Sequence, residues 1–251
     1  MFKISRSLLV VVFLLFLFHP VVRAEALPDT DQDGISDQTE IERYYTDPNL
    51  FDSDGDGYGD GEELRKGFSP YNAKAGVKLE KSDADKDGLN DRMEINFHTN
   101  PIVADTDGDG YTDGEEVKNG YDPLHADVKL EKLIKVNLAK QEVEYFLGEV
   151  RLGKFRISSG KPSMPTPKGT FTIDGKTPRA WSRPYGLWMP YWMSLNHGKF
   201  GFHELPEWPS GKKEGASHIG KPVSHGCIRL GVGDAKTLYD WAPVGTKVII
   251  Y

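Results

Sequence analysis

The sequence predicts a mainly β protein, in which a β-sandwich or β-barrel domain with one or two short helices follows a region of repeated loops and short helices. Charge divides the chain: residues 29–127 hold 27 acidic and nine basic side chains, whereas residues 128–251 hold 10 acidic and 19 basic ones. Such an asymmetry is unusual within one uniform domain. Short segments that alternate apolar and polar residues occur only in the second part. We therefore expect two regions, covering residues 25–127 and 128–251.

The N-terminus has the three-part pattern of a secretory signal peptide. Lys3 and Arg6 precede an apolar run over residues 8–18, which is short for a membrane span. Val22 and Ala24 then stand in front of a cleavage site that would release residues 1–24. We expect an exported protein in the periplasm, the cell wall or the extracellular space, without a membrane partner after cleavage. An uncleaved N-terminal anchor is the alternative.

Export and composition exclude several classes of function. Cys227 is the only cysteine, so an internal disulfide and a cysteine-rich metal site are both excluded. The positive charge of residues 128–251 is not clustered into a nucleic-acid motif, and export also argues against a nucleic-acid partner. The thiol of Cys227 is therefore either inert or reactive.

The acidic region is an array of four 12-residue repeats, which align without gaps. The repeats start 23, 31 and 22 residues apart and therefore group as two pairs. Each has Asp at positions 1, 3, 5 and 9, Gly at position 6 and Glu at position 12. The segments are DTDQDGISDQTE from Asp29, DSDGDGYGDGEE from Asp52, DADKDGLNDRME from Asp83 and DTDGDGYTDGEE from Asp105.

This spacing predicts structural calcium ions as the only cofactor. Calcium takes six to eight oxygen ligands, and an Asp-x-Asp-x-Asp-Gly loop wraps three carboxylates around one ion before a glutamate completes the site. A disordered acidic linker, the alternative, predicts scattered acids rather than four identical placements. The candidate metal ligands are Asp29, Asp31, Asp33, Asp37, Glu40, Asp52, Asp54, Asp56, Asp60, Glu63, Asp83, Asp85, Asp87, Asp91, Glu94, Asp105, Asp107, Asp109, Asp113 and Glu116.

The loops differ from EF-hand loops, because their apolar residue stands at position 7 instead of position 8 and no amphipathic helix precedes them. They resemble bacterial thrombospondin type-3 repeats, as do the linking segments YYTDP at 44–48 and NGYDP at 119–123. The resemblance implies calcium-stiffened loops with short helices, for example over residues 61–66 with a stop at Gly67. We expect chelation to loosen this region and to leave the rest of the fold intact.

From residue 133 onwards the periodicity becomes that of β-strands. Ile134, Val136 and Leu138 alternate with polar residues, and the segments VEYFLGEV, KFRIS, FTID and KVIIY follow across turn residues. DAKTLYDWA predicts one helix, with Asp234 as its N-cap after Gly233. Regular short strands of this kind are typical of a sandwich or a barrel.

The tetrapeptide Ser224-His225-Gly226-Cys227 places the lone thiol between a histidine and Arg229. Neighbouring positive charge lowers the pKa of a thiol and supplies the nucleophilic thiolate. The alternative is a small buried apolar residue, which most free cysteines are.

The segment IGKPVSHGCIRL at 219–230 resembles the catalytic signature of the L,D-transpeptidase (YkuD) family. The resemblance extends through most of 132–251, including FRISSGKPSMPTPKGTF at 155–171, WMPYWMSLNHGKFGFHEL at 188–205 and DAKTLYDWAPVGTKVIIY at the C-terminus. It implies a YkuD-like β-sandwich and acyl transfer through a thioester. Two features depart from the family: GKKEGASH is inserted before Ser224, and Glu204 replaces a common glycine.

The resemblance implies Cys227 as the nucleophile and His203 as its base, with His197 and His218 as fallback bases. Three further roles are expected around the nucleophile. His225, two residues earlier on the same strand face, would assist the thiolate, and Ser224 would orient the base. The backbone N–H groups of Gly226 and Cys227 would bind the oxyanion.

Arg229 is expected either to hold a substrate carboxylate or to form a structural ion pair, since its charge cannot be lost. Aromatic side chains could line the cleft or belong to the core; the candidates are Trp181, Trp188, Trp192 and Trp208.

The implied partner is the peptide stem of bacterial peptidoglycan. The enzyme would cleave a tetrapeptide stem between its third residue and the terminal D-Ala, and would pass the acyl group to an amine to form a 3→3 cross-link. Water as the acceptor would make it an L,D-carboxypeptidase. A non-catalytic calcium-dependent wall-binding or adhesion protein is the second class. A papain-like protease is disfavoured, because the required order of Cys, His and Asn is missing. The oligomeric state stays open.

Overall fold

The structure is a computed structural model that describes residues 27–251, so the predicted signal peptide and its cleavage site lie outside the described residues. Within this range no helix is both long enough and apolar enough to cross a membrane. The N-terminal half consists of loops and short helices, and the C-terminal half consists mostly of strands.

Each repeat is a loop followed by a short helix. The helices are α1 (Asp37–Thr39, continued by a π-helical turn over Glu40–Tyr44), α2 (Asp60–Lys66), α3 (Asp91–Phe97) and α4 (Asp113–Asn119). Acidic residues in the first turn of each helix complement the positive end of the helix dipole. Gly67 and Gly120 end α2 and α4 in the left-handed conformation. The short helix predicted before Gly67 is confirmed.

The repeats associate as two pairs, as their spacing predicted. The Gly61 N–H of the second repeat donates to Asp33 of the first at 2.7 Å, and the Gly114 N–H of the fourth donates to Asp87 of the third at 2.6 Å. A Cβ atom on Gly61 would lie 2.5 Å from the Asp33 carbonyl oxygen, so the close approach requires glycine.

The C-terminal half is a closed barrel of eight strands in the order β1-β2-β3-β7-β6-β5-β4-β8. The mainly β class is confirmed, but β8 pairs with both β1 and β4, so that the ring has no free edge and is a barrel instead of an open sandwich. The strands are β1 (Lys132–Asn137), β2 (Glu142–Leu147), β3 (Val150–Ser158), β4 (Gly169–Ser182), β5 (Leu187–Leu195), β6 (Phe200–Glu204), β7 (Ile228–Leu230) and β8 (Lys247–Ile250).

Helix α5 (Asp234–Trp241) packs against the barrel through Ala235 and Leu238, which belong to its apolar core. The helix begins at Asp234, and Gly233 is the cap residue, one position earlier than predicted. Gly233 has a φ of 89°, which a glycine adopts far more readily than an aspartate.

A smaller apolar cluster joins the array to the barrel. Leu89, Phe97 and Val117 of the array pack against Leu147 at the end of β2, and Val150 at the start of β3 contacts the same cluster. The third and fourth repeats therefore rest on the β2–β3 hairpin.

Candidate active site

Two neighbouring parallel strands, β6 and β7, place the predicted reacting groups on one face. Phe202 pairs with Ile228 and His203 pairs with Arg229. Phe202 and Ile228 belong to the core, so the alternation of side chains directs His203 and Arg229 to the opposite face. Cys227 immediately precedes β7 and lines the same cavity as both. The structure therefore brings the predicted nucleophile and its predicted base together.

The cavity has a volume of about 690 Å³. Trp192 and Trp208 line it, as the sequence allowed, whereas Trp181 and Trp188 do not. Those two rings pack edge-to-face at 4.8 Å, away from the nucleophile. The lining residues are Met164, Ser182, Pro184, Tyr185, Leu187, Met189, Trp192, Gly198, Lys199, His203, Pro206, Trp208, Glu214, Ser224, His225, Cys227 and Arg229.

The surroundings of His203 leave one ring nitrogen of its imidazole free to accept a proton. Its Nδ1–H donates to the carbonyl oxygen of Glu204 at 2.5 Å, which leaves the lone pair on Nε2 free. The side chain is only 3% exposed, and this burial lowers the pKa of His203 to about 4, with the charge of Arg229 acting in the same direction. The imidazole is therefore neutral at pH 7.

The thiol of Cys227 is protonated at rest. Burial raises the pKa of Cys227, while a backbone hydrogen bond from Gly201 and the charge of Arg229 act in the opposite direction without prevailing. This is the reverse of the lowering that the flanking charges predicted, because desolvation outweighs one guanidinium. With its pKa raised, the thiol would need a base to become a nucleophile, and His203 stays the predicted base.

Ser224 closes the turn that carries the nucleophile. Its fully buried hydroxyl donates to the Cys227 carbonyl oxygen at 2.6 Å and accepts the Gly226 N–H at 3.2 Å. The ring of His203 is held by the Glu204 carbonyl oxygen, and no hydrogen bond joins Ser224 to His203 within residues 27–251, so a role of Ser224 in orienting the base stays a prediction. The Gly226 N–H is occupied in this turn. The Cys227 N–H makes no hydrogen bond within residues 27–251 and remains the candidate oxyanion donor.

His225 lies on a bend before β7 and not on the strand, because Gly226 has a φ of 110° and interrupts the extended chain. The predicted common strand face for His225 and Cys227 is therefore wrong. The ring of His225 stacks on Tyr185 at 4.6 Å, in the wall of the cavity. Burial, Lys161 and Arg229 lower the pKa of His225, so it brings no positive charge to the thiol at pH 7.

Arg229 is 7% exposed, and its Nε has no hydrogen-bond partner. None of the ion pairs between described residues includes Arg229, which removes the structural ion pair from the two roles that the sequence left open. A buried and unpaired cation beside the nucleophile is suited to a substrate carboxylate.

Sequence reasoning missed Thr166, which ties the segment 155–171 to the catalytic turn. Its hydroxyl donates to the Gly226 carbonyl oxygen at 2.9 Å and accepts the Gly160 N–H at 2.9 Å. A Cβ on Gly160 would lie 2.3 Å from the Met164 carbonyl oxygen, so this loop is tightly folded. The Thr-Pro pair in this turn was the available signal. The fallback bases His197 and His218 do not line the cavity.

The two departures from the family pattern form one structural unit. The Glu204 carboxylate is 3% exposed, forms an ion pair with Lys213 of the inserted segment and accepts the Gly233 N–H at 3.2 Å. Lys213 also lies 3.4 Å from Glu207. The residue that replaces glycine thus anchors the insertion beside the site.

In each repeat the structure gathers the aspartates of positions 1, 3 and 5, whose oxygens lie within 4.8 Å of one another. In the second repeat, for example, Asp52 accepts the Gly57 N–H, and the outer oxygens of Asp54 and Asp56 have no partner. The glutamates of position 12 are buried, and at least one oxygen of each lacks a partner. Burial and the neighbouring aspartates raise their pKa values to about 7 for Glu40, 8 for Glu63, 9 for Glu94 and 7 for Glu116.

The aspartates of position 9 also accept hydrogen bonds from the start of their own repeat or from a neighbouring segment. Asp113 accepts the backbone N–H and the hydroxyl of Thr106 at 3.0 and 2.6 Å, so both of its oxygens are engaged. Asp60 also accepts two bonds, from Ser53, although it lies close to Asp33 and Glu40. These bonds fasten the loop to the start of the helix, and the calcium-ligand role of the four residues stays a prediction; they are Asp37, Asp60, Asp91 and Asp113.

Comparison with known proteins agrees with this geometry. Residues 131–250 match the family model described as the L,D-transpeptidase catalytic domain (YkuD), and residues 29–50, 52–67, 83–104 and 105–126 match the bacterial TSP3 repeat. A putative L,D-transpeptidase of Bacillus subtilis, YciB, is 37% identical over 134 residues, which cover 50% of this chain and 69% of that protein.

A second putative L,D-transpeptidase, YkuD of Bacillus licheniformis, is 32% identical over 47% of this chain and 64% of its own length. The L,D-transpeptidase structure from Mycobacterium smegmatis is 28% identical with a TM-score of 0.42, over 49% of this chain and 60% of its own length. The chain thus spans less than two thirds of these two proteins.

Proposed function

Because the chain belongs to the L,D-transpeptidase (YkuD) family, we propose that it cross-links peptide stems of bacterial peptidoglycan through a thioester on Cys227. One observation carries the proposal: His203 of β6, buried and neutral, and Cys227, which immediately precedes the neighbouring strand β7, line one cavity. A wall-binding module has no use for such a pair. The reaction has two half-reactions.

In the first half-reaction, a carboxylate of the donor stem pairs with Arg229, the unpaired cation of the cavity. Nε2 of His203 takes the proton of Cys227 Sγ as the sulfur attacks the carbonyl carbon of the third stem residue. The developing oxyanion accepts the Cys227 N–H. The peptide C–N bond then breaks, and His203 returns its proton to the nitrogen of the departing D-Ala.

In the second half-reaction, the amine of another stem attacks the thioester carbonyl. A C–N bond forms and the C–S bond breaks, while His203 transfers an amine proton to Cys227 Sγ. The product is a 3→3 cross-linked pair of stems and the restored thiol. Attack by water gives L,D-carboxypeptidase activity by the same route, so the acceptor decides between the two activities.

Covalent labelling tests the proposal. The purified mature protein is incubated with a carbapenem, whose strained β-lactam carbonyl acylates an activated thiol, and its mass is measured. We expect one adduct, located on Cys227 and absent from Cys227→Ala. D-Ala released from a stem tetrapeptide is then quantified for His203→Ala and for the control His218→Ala, of which only the first should lose turnover. A folded wild-type protein without an adduct would favour the wall-binding alternative.

We also propose that the repeats bind structural calcium. The support is chemical: each loop presents hard oxygen ligands, several of them buried without a partner, at the spacing that calcium requires. The aspartates of positions 1, 3 and 5 and the glutamate of position 12 would hold the ion. Calcium would supply the positive charge that these carboxylates otherwise lack.

The site of action follows from the proposed substrate and from the signal pattern of residues 1–24. We propose export to the periplasm or the cell wall, where peptidoglycan lies. N-terminal sequencing of the protein recovered from the cell envelope should find Glu25 first. An intact Met1 on the active protein would contradict cleavage and favour the N-terminal anchor.

A further inference from the structure

The inserted segment forms an ordered wall of the catalytic cavity. Backbone hydrogen bonds from Trp208 to Lys212 at 2.8 Å and from Glu214 to Pro206 at 2.7 Å fold it into a compact turn. The buried Glu204 holds this turn through Lys213. The segment therefore presents Glu214 to the cavity from a fixed base, next to Pro206 and Trp208, which precede it in the chain.

Glu214 is the only acidic residue among those that line the cavity. Its carboxylate forms no ion pair and no hydrogen bond with the residues of 27–251, although it is half-buried. It still acts electrostatically on the site, because its charge opposes the lowering of the pKa of Arg229 and of His225. The cavity thus combines unpaired cations, Arg229 and Lys199, with one unpaired anion.

This pairing of opposite charges matches the two substrates of the proposed reaction. The donor stem ends in a carboxylate, which suits Arg229, whereas an amine acceptor arrives as an ammonium ion at neutral pH. We propose that Glu214 binds the ammonium group of the acyl acceptor and so favours aminolysis of the thioester over hydrolysis. This inference rests on the proposed function and adds the acceptor class, a cationic amine.

The step balances without another reactant. The bound ammonium group loses one proton to solvent, and its nitrogen attacks the thioester carbon. The second proton passes through His203 to Cys227 Sγ as the C–S bond breaks. Glu214 concentrates the acceptor and takes no part in bond making, so it is a specificity residue that acts on the acceptor KM.

The test compares two acceptors on the wild-type protein and on Glu214→Gln. One is a lysine-type amine, cationic at pH 7, and the other is hydroxylamine, which is mostly neutral at that pH. We expect Glu214→Gln to raise the KM for the cationic acceptor about tenfold, the order of one partly solvated charge pair, and to leave the KM for hydroxylamine unchanged. The release of D-Ala without acceptor is measured for both proteins, so that acceptor KM values are compared only between proteins that complete the first half-reaction.

Two variants complete the design. Glu214→Asp retains the charge and should restore most of the acceptor affinity, whereas Glu149→Gln removes an exposed carboxylate on the β2–β3 turn and should change neither KM. Equal changes for both acceptors, or none, would overturn the assignment of Glu214 alone. A wild-type protein that releases no D-Ala would overturn the proposed function, and the assignment with it.

Discussion

The array and the barrel differ in whether their buried carboxylates have partners within the chain. The strands of the barrel form a closed ring of backbone hydrogen bonds around an apolar core, and the buried Glu204 is paired with Lys213. In the array, Glu40 and Glu94 are fully buried with oxygens that no group of the described residues satisfies. An unpartnered buried carboxylate is costly, and its cost appears as a raised pKa. Lys213 of the chain itself thus compensates the buried Glu204 of the barrel, whereas the proposed calcium ions would compensate the carboxylates of the array.

The largest expected difference between the two regions is their response to the removal of calcium. In excess EGTA we expect the array to lose its helices and to become sensitive to protease between residues 27 and 127, because the clustered carboxylates repel one another. Carbapenem labelling of Cys227 should continue, since no array residue lines the cavity. Limited proteolysis with mass mapping checks both expectations. Identical cleavage with and without EGTA would contradict a calcium-dependent array.

The proposed proton transfer in the barrel involves only side chains of the barrel itself, His203 and Cys227. The pKa of His203 is about 4, below the usual range, and the pKa of Cys227 is raised. The imidazole therefore stays neutral and the thiol stays protonated between pH 5.5 and 8.5. We expect a carbapenem acylation rate that is nearly flat over this interval. In His203→Ala only free thiolate reacts, so the rate should fall about 10²- to 10⁴-fold and should rise about tenfold per pH unit. A wild-type midpoint near 6.5 would contradict burial of the imidazole.

Within the array, a matched pair of variants distinguishes aspartates that bind calcium from aspartates that stabilise the loop through hydrogen bonds. Asp107 has an oxygen without a partner, whereas both oxygens of Asp113 are bonded to Thr106. Asp107→Asn should remove one equivalent of bound calcium in a calorimetric titration. Asp113→Asn should retain all equivalents and lower the free energy of unfolding by about 1 kcal/mol. Loss of an ion in Asp113→Asn would confirm the predicted ligand role of position 9.

The smallest effect concerns the paired carboxylate of the barrel. Glu204→Gln keeps an acceptor for the Gly233 N–H but removes the charge that pairs with Lys213. Because Lys213 is partly exposed, we expect the free energy of unfolding to fall by about 1 kcal/mol, measured by thermal denaturation in calcium. The control Glu149→Gln should stay within about 0.5 kcal/mol of the wild type. Equal stability of the two variants would indicate that the pair does not anchor the insertion.

Much of the fold was predictable because its signals are local. The period-2 alternation of Ile134 and Val136 marks β1, and the family predicted from the Cys227 signature is confirmed. The pairing of the repeats had an overlooked signal: only the second and fourth repeats carry glycine at position 10, Gly61 and Gly114, where the partner loop approaches closely. The domain boundaries, the export and the catalytic roles stay predictions.

Other features had no local signal. The spacing of the aspartates does not reveal that hydroxyls at position 2, such as that of Thr106, donate to the aspartate of position 9. The sequence likewise does not reveal that the hydroxyl of Ser224 is hydrogen-bonded within the turn itself. Hydrogen bonds that a side chain makes nearby compete with the chemistry that its spacing suggests.

By itself, the sequence determined the chemistry that this protein carries: one thiol, its histidine, four carboxylate-rich loops and the strand pattern around them. Only the tertiary structure decided the state of those groups. Burial between β6 and β7 makes His203 neutral and keeps Cys227 protonated, and the closed barrel leaves Arg229 unpaired beside Glu214. The reason is that the pKa of a side chain, and whether its charge is paired, depend on desolvation and on neighbours that are far apart in the chain. The order of the residues alone does not specify these neighbours.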